Sequence, residues 1–375
     1  MTADDLLDPA NDRARAHAPG RVDHDRLGVR TGAIPVFTEH GPGAPDAFDD
    51  EVPARVRDAP KEPGDEWAIG PDGTRSWGAH GAAGVLVADV ERGVLLQHRA
   101  RWNHHGGTWG IPGGALRPGE PPVDGALREA FEEAGIPADA LDAVATRVVD
   151  LGYWRYTTLV ARARRHIPAR VLDAESAGMA WVPPRELDRL RLHPGFAAAW
   201  PTLQRLIGTR PALVVDAANV VGARPDGWWR DRAGAATRLV STLCGAIGRG
   251  FPAAPFGIDA ELLWPEIVVV LEGQAKSAAD PSTDASLEHL EIVRAPGEGD
   301  DDIVAQVERL RALDAERPIL VVTSDRGLRE RVEAAGALPC LGSKAFRTLL
   351  DGPHEPAART SAGPVTTEGP VPTEG

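Results

Sequence analysis

Residues 114–136 read GALRPGEPPVDGALREAFEEAGI, and this stretch decides how the first half of the chain is read. From Pro122 onward, Val123, Ala126, Leu127, Ala130, Phe131 and Ala134 recur at i, i+3, i+4 and i+7, so the spacing predicts an amphipathic helix. Pro121 and Pro122 suit its entrance, and Gly135 suits the position just past its end. The other face carries Arg128, Glu129, Glu132 and Glu133. At about 100° per residue, the three glutamates fall within an arc of roughly 100°. Glu129 and Glu133 form a like-charged i, i+4 pair, which costs an isolated helix about a few tenths of a kcal/mol. A hard, oxygen-seeking cation such as Mg2+ turns that repulsion into ligation. Arg128 can pair with Glu132 one turn on, or reach back to Glu120 in the preceding loop.

Upstream, Thr108-Trp109-Gly110-Ile111-Pro112-Gly113-Gly114 reads as a short strand running into a glycine loop. Glycines there let the main chain approach a metal or a phosphate closely. His104 and His105 sit beside this segment, but no matching Cys or His spacing makes them a metal motif. They are expected to line a substrate loop or lie on the surface.

The segment from Gly114 to Ile136 resembles the Nudix box, Gx5Ex7REUxEExGU with U a bulky aliphatic residue. Every fixed position matches, and Ala130 at the first U is the one soft departure. The resemblance implies Mg2+, with Mn2+ as a substitute, held by Glu129, Glu132 and Glu133, with the Gly113 carbonyl as a further ligand. It gives Arg128 and Glu120 a structural role, together with Gly114 and Gly135. It implies attack of water on a nucleoside diphosphate linked to another group, cleaving a pyrophosphate bond. Glu133 or Glu175, an acid in a late loop six residues before Trp181, would serve as general base.

Strands are expected at Gly81–Asp89, Gly93–Arg99, Tyr153–Ala163 and Ala180–Pro184, and a helix at Pro194–Leu206. The first unit, a Nudix α/β/α sandwich with a mixed sheet, is thus expected over residues 64–207. The chain has 375 residues, 42% of them hydrophobic, which suits two domains with tails. Residues 1–63 and 351–375 are expected to be disordered by composition. The formal net charge of −14 does not favour nonspecific binding to long nucleic acid. The start of the chain has no signal pattern, and the longest aliphatic run, Ile267–Leu271, is far too short to span a bilayer. A cytoplasmic protein without membrane contact is expected. Cys244 and Cys340 form no zinc motif and are expected to be reduced and buried.

After Gly208-Thr209-Arg210-Pro211 the pattern alternates strand and helix. Strands are expected at Ala212–Val215, Ile267–Leu271, Leu290–Val293, Pro318–Val322 and Ala337–Leu341, with helices from Trp228 to Gly248 and from Asp300 to Leu313. This predicts an α/β unit over 211–350, a mostly parallel sheet covered by helices. Asp216, Glu272 and Asp325 each follow a strand, and Asp300-Asp301-Asp302 opens a helix after a fourth. In a parallel sheet such strand ends share one edge, where open α/β folds place ligands. Singly, Asp300, Asp301, Ser324 or Asp325 could be a helix cap, and Asp216 or Asn219 a turn former.

VVDAANVVG (214–222), VVVLEG (268–273), GDDDIVAQVERL (299–310) and VVTSDRGLRERV (321–332) resemble the NYN branch of PIN-like ribonucleases. The resemblance implies a PIN-like sheet with helices on both faces, and metal held by Asp216, Asp301 or Asp302, and Asp325. Asn219 would sit beside them, with Glu272 in the acidic place after the second strand. Trp228 and Trp229, with Arg224, Arg230 and Arg232, could stack bases and grip phosphates, or anchor a helix. Three functions follow as expectations. The first is a pyrophosphohydrolase of nucleotides. The second is an RNA-processing enzyme that trims 5′ phosphates or caps and cuts RNA. The third is a nucleotide sensor that regulates the nuclease.

Overall fold

A computed structural model describes residues 62–225, 227–280 and 288–351. The segments expected to be disordered, 1–63 and 351–375, lie outside the described residues except at 62, 63 and 351. The described chain opens with a hairpin, β1 (Trp67–Ile69) and β2 (Arg75–Trp77), which pairs with no other strand among the described residues. There follow β3 (Ala82–Asp89), β4 (Gly93–Arg99), β5 (Trp109–Gly110) and β6 (Gly113–Ala115). Helix α1 (Pro122–Ala134) leads to β7 (Leu141–Asp150), β8 (Arg155–Ala163), β9 (Ser176–Val182) and helix α2 (Pro194–Gly208).

Local chemistry sets these elements. Asp89 Oδ1 accepts the backbone N–H groups of Glu91 and Arg92 at 2.9 and 3.0 Å, closing the β3–β4 turn. Pro122 starts α1, and Gly135 ends it at φ 65°, a conformation open to glycine at no steric cost. Along β3 the side chains alternate between two layers, so the strand is buried on both faces. Ala83, Val85 and Val87 pack with Ala126, Ala130 and Ala134 of α1. Leu86 and Ala88 share a second core with Phe196, Leu203 and Leu206 of α2. The result is a mixed sheet between helices, with β3–β8 parallel and β3–β4 and β7–β8 antiparallel. Phe131 does not join the apolar face of α1. It is 59% exposed, because the 100° advance carries it past the edge of the alanine stripe.

The second half contains β10 (Ala212–Asp216), α3 (Ala217–Gly222), α4 (Arg232–Arg249), β11 (Phe251–Pro252), β12 (Leu262–Leu263) and β13 (Glu266–Leu271). It ends with β14 (Leu290–Arg294), α5 (Gly299–Leu313), β15 (Ile319–Val322), α6 (Arg326–Ala334) and α7 (Ser343–Asp351). Its four-stranded sheet runs β14-β13-β10-β15 and is parallel throughout. Ala212 and Val214 face Ile303 and Val307 of α5 and Leu328 of α6, whereas Leu213 and Val215 face Leu239 and Leu243 of α4. Helices therefore cover both faces. The strand expected at Ala337–Leu341 is a single bridge, Val322 to Leu341. The helix expected from Trp228 begins at Arg232, after a 3-10 turn over Trp228–Arg230, with Asp231 Oδ1 capping it from Gly234 N–H at 2.8 Å.

The two sheets are not joined by a free linker. β12 pairs with β7 and β11 pairs with β12, so a piece of the second half extends the first sheet. The core containing Leu86 and Phe196 runs on through Leu263 to Leu213 and Leu243. Arg162 Nη2 donates to the carbonyls of Ile207 and Thr209 at the junction. Among the described residues no helix is long and apolar enough to cross a membrane. Cys340 is buried and Cys244 only half-buried, and neither is in a disulfide.

Candidate active site

Helix α1 presents its polar face to the loop after β6 and to the loop before β9. Arg128 ties the first loop down. Its Nε and Nη2 donate to Glu120 at 2.8 and 2.9 Å, Nη2 also to the Ala115 carbonyl, and Nη1 to Glu129 and Glu132. This fork holds the Glu120 carboxyl below its usual range and raises the guanidinium above its own. The sequence left Glu132 and Glu120 as alternative partners, and Arg128 uses both. A Cβ at Gly114 would lie 2.6 Å from Glu129 Oε1 and would push that carboxylate aside.

The three glutamates part company. Glu132 is exposed and turned to Arg128 and Arg117. Glu129 is largely buried, and burial pushes its carboxyl up to about 7 against the pull of Arg128. Glu133 is 7% exposed, and its carboxyl lies well above the usual range because of burial first, then Glu129 and Asp173. Glu133 Oε2 accepts the Gly113 N–H at 2.8 Å, and Oε1 accepts from Gln97 Nε2 at 3.0 Å. Gly113 thus meets the cluster through its N–H, while its strand β6 pairs with β3 opposite Gly84.

Carboxylate oxygens of Glu133, Asp173 and Glu175 all lie within 4.8 Å of one another. Glu175, expected from its loop position, is brought to the box by Ala100 N–H on its carbonyl at 2.7 Å and by Asn103 Nδ2 on Oε2 at 3.2 Å. The sequence reading missed Asp173 and Gln97. Asp173 carried one signal, a second acid two residues before Glu175; Gln97 carried none, being one polar residue in an apolar strand. Asp173 Oδ1 is buried and finds no hydrogen-bond partner among the described residues. An orphaned carboxylate oxygen among mutually repelling acids fits a bound divalent cation, which supplies the missing charge and ligation.

A second acidic place lies at the carboxyl edge of the parallel sheet. Asp216, Asn219, Glu272, Asp300, Ser324, Asp325 and Lys344 line one pocket of about 560 Å3. Asp216 Oδ1 caps α3 through Asn219 N–H at 3.0 Å, and Oδ2 accepts from Thr323 Oγ1 at 2.9 Å. Asn219 Oδ1 accepts from Ser324 N–H and Ser343 Oγ. Asp325 caps α6 through Leu328 N–H, and Glu272 Oε2 accepts Gly299 N–H at 2.6 Å. Several of these acids therefore cap helices and face the pocket at once. Burial raises the carboxyls of Asp216 and Asp300, with added repulsion from Asp300 and Glu272 on the first and from Asp325 and Glu272 on the second. Asp301 and Asp302 do not line this pocket. Asp301 is turned to Arg331, and Asp300 takes the inward place because Glu272 fixes the start of α5 one residue before it. Trp228 packs beside Gly222 under the Arg232 guanidinium, and Trp229 is 54% exposed.

A buried acidic helix clamped by an arginine fork onto a glycine loop defines a class of metal-assisted anhydride hydrolases. The family model of the NUDIX domain matches residues 78–206. A Mycobacterium tuberculosis protein named "Putative 8-oxo-dGTP diphosphatase 3" is 42% identical over 185 residues, 47% of this chain and 81% of that protein. A nucleoside triphosphate pyrophosphatase/Nudix hydrolase fusion protein of Bifidobacterium longum is 40% identical over 148 residues, 37% of this chain and 31% of that one. The crystal structure of a Nudix hydrolase from M. smegmatis is 42% identical, covering 39% of this chain and 96% of that chain, with a TM-score of 0.36. The chain belongs to the Nudix family.

Proposed function

We propose that this Nudix hydrolase cleaves a nucleoside triphosphate or related nucleotide to the monophosphate and pyrophosphate, with Mg2+ or Mn2+. The observation that carries this reading is the Glu133–Asp173–Glu175 cluster beside Glu129, with a buried oxygen of Asp173 left without a partner. Glu129, Glu132, Glu133 and Asp173 hold the metal. A bound divalent cation supplies charge for the phosphate oxygens and lowers the pKa of water. Both oxygens of Glu133 already accept N–H groups, whereas Glu175 is exposed at the rim. Glu175 therefore takes the proton as the water oxygen bonds to phosphorus and the bridging P–O bond breaks. Arg128 and Glu120 hold the loop, Gly114 leaves room for the Glu129 carboxylate, and Gly135 ends the helix.

The test is pyrophosphate release by the purified chain with Mg2+ from dGTP, 8-oxo-dGTP, an ADP-ribose-type compound and 5′-triphosphorylated RNA, beside Glu132→Gln. Turnover of a nucleoside triphosphate, lost in the variant, is expected. No turnover of any of these would sink the reading.

The second pocket favours a further reading. The unit from about 211 to 350 is proposed as an NYN/PIN-like ribonuclease in which Asp216, Glu272, Asp300 and Asp325 hold metal beside Asn219. Support comes from the convergence of these acids on one edge of an all-parallel sheet. RNA cleavage with Mn2+ is expected to fall in Asp216→Asn while pyrophosphate release stays unchanged. Cleavage indifferent to that change would reject the site.

A further inference from the structure

The hairpin β1–β2 lies before residue 78, where the family match begins, and its two tryptophans are not in the core. Trp67 and Trp77 stand opposite each other in register, 5.2 Å between ring centroids at 76°. Each is 39% exposed, so a large apolar ring surface faces solvent. The hairpin is fixed in place. Trp154 Nε1 donates to the Trp77 carbonyl at 3.0 Å, and Ser76 Oγ and Tyr153 Oη share a hydrogen bond at 2.9 Å.

The same hairpin touches the loop that holds the active-site acid Glu175 through hydrogen bonds. The His104 ring lies 5.4 Å from Trp67 at 79°, and His105 continues the row to His193. His104 follows Asn103, whose side chain holds both the carbonyl and the carboxylate of Glu175. Thus one short loop joins the carboxylate cluster at one end to an exposed aromatic face at the other. His105 is held at φ 56°, the left-handed region that a β-carbon disfavours, and it is the only such non-glycine residue among those described.

We infer that Trp67, Trp77 and His104 form a stacking platform for the base of the nucleotide whose phosphates lie at the carboxylate cluster. This rests on the nucleotide reading of the site. A nucleobase has a flat π-face and ring edges that suit a T-shaped pair of indoles with an imidazole at the side. Its two indoles come from residues that precede the family match, while His104 lies within it, and the platform sets affinity for the base without taking part in bond breaking.

The test is binding without turnover. The full chain would be titrated with dGMP and, separately, with 2-deoxyribose 5-phosphate, following tryptophan fluorescence. The chain has ten tryptophans, so the difference between wild type and Trp67→Phe isolates the signal of one ring. Expected are quenching by dGMP and none by the base-free sugar phosphate. Trp67→Ala and His104→Ala should each weaken dGMP about 10-fold, with Trp67→Phe near wild-type affinity but with reduced quenching. Affinity within twofold of wild type in both alanine variants would overturn the platform, as would equal binding of the base-free sugar phosphate or no dGMP binding. Pyrophosphate release is read separately. No turnover with dGMP affinity lost in Trp67→Ala would reject the hydrolase reading and keep the platform.

Discussion

Glu133 Oε2 accepts the backbone N–H of Gly113 at 2.8 Å, so the last carboxylate of α1 is bonded directly to the glycine strand that precedes it. The carboxyl is buried, and burial of a charge costs the fold unless a cation offsets it. Glu133→Gln removes that charge and keeps an acceptor for Gly113. With metal chelated, the variant is expected to melt at or above the wild-type temperature, while kcat for pyrophosphate release falls because a metal ligand is lost. A melt under EDTA and a steady-state assay check both halves.

Arg128 is the mechanical link of the box. Removing it leaves Glu120 and Glu129 partly buried without their cation, and the Ala115 carbonyl without its donor. Arg128→Ala is expected to cost about 3 kcal/mol in urea denaturation, since the orphaned partners remain. Arg128→Lys recovers only part of this, because an ammonium cannot span both oxygens of Glu120 as the fork does. A lysine variant as stable as wild type would reject the bidentate account.

How much of this was legible in the sequence differs by element. The α1 helix and the strands β3 and β4 follow from periodicity and turn residues, because burial on one or two faces dictates those patterns. The strand β7 was not read, since LDAVATRVVD mixes charged and apolar residues without strict alternation and is recognised as a strand only by its partners β8 and β12. β11 and β12 hold two residues each and exist only because β7 offers them an edge. The convergence of Asp216, Glu272 and Asp325 was readable from strand ends. The choice of Asp300 over Asp301 and Asp302 was not, because it depends on where the Glu272–Gly299 bond starts α5.

His193 carries a pH dependence of stability. It is the N-cap of α2, its Nδ1 accepting from Gly195 N–H at 3.2 Å. Burial, with Arg99, His105 and His104 nearby, lowers its pKa from 6.5 to about 4. The unfolded chain then binds the proton more readily than the folded one. Stability is therefore full above about pH 6.5 and is lost as pH falls toward 4. His193→Asn keeps a capping oxygen and loses the titration. Its melting temperature should fall less between pH 7.5 and pH 5 than that of wild type. Equal falls would mean that His193 does not titrate in this window.

Leu263 on β12 is fully buried and stands opposite Ala145 of β7, so a residue of the second half completes the core of the first. The Trp264 N–H donates to Val144 at 3.0 Å and the Glu261 N–H to Thr146 at 2.8 Å, which continues the ladder past both ends of the strand. A sheet edge closed in this way, over a core shared with Leu213 and Leu243, couples the unfolding of the two units. Calorimetry of the full chain is expected to give one transition, with calorimetric and van't Hoff enthalpies equal. Leu263→Ala should lower that single transition by about 2–5 kcal/mol of stability rather than split it. Two resolved transitions in the wild-type chain, with Leu263→Ala moving only one of them, would show that the units fold apart and that the β7–β12 ladder is only a contact between them.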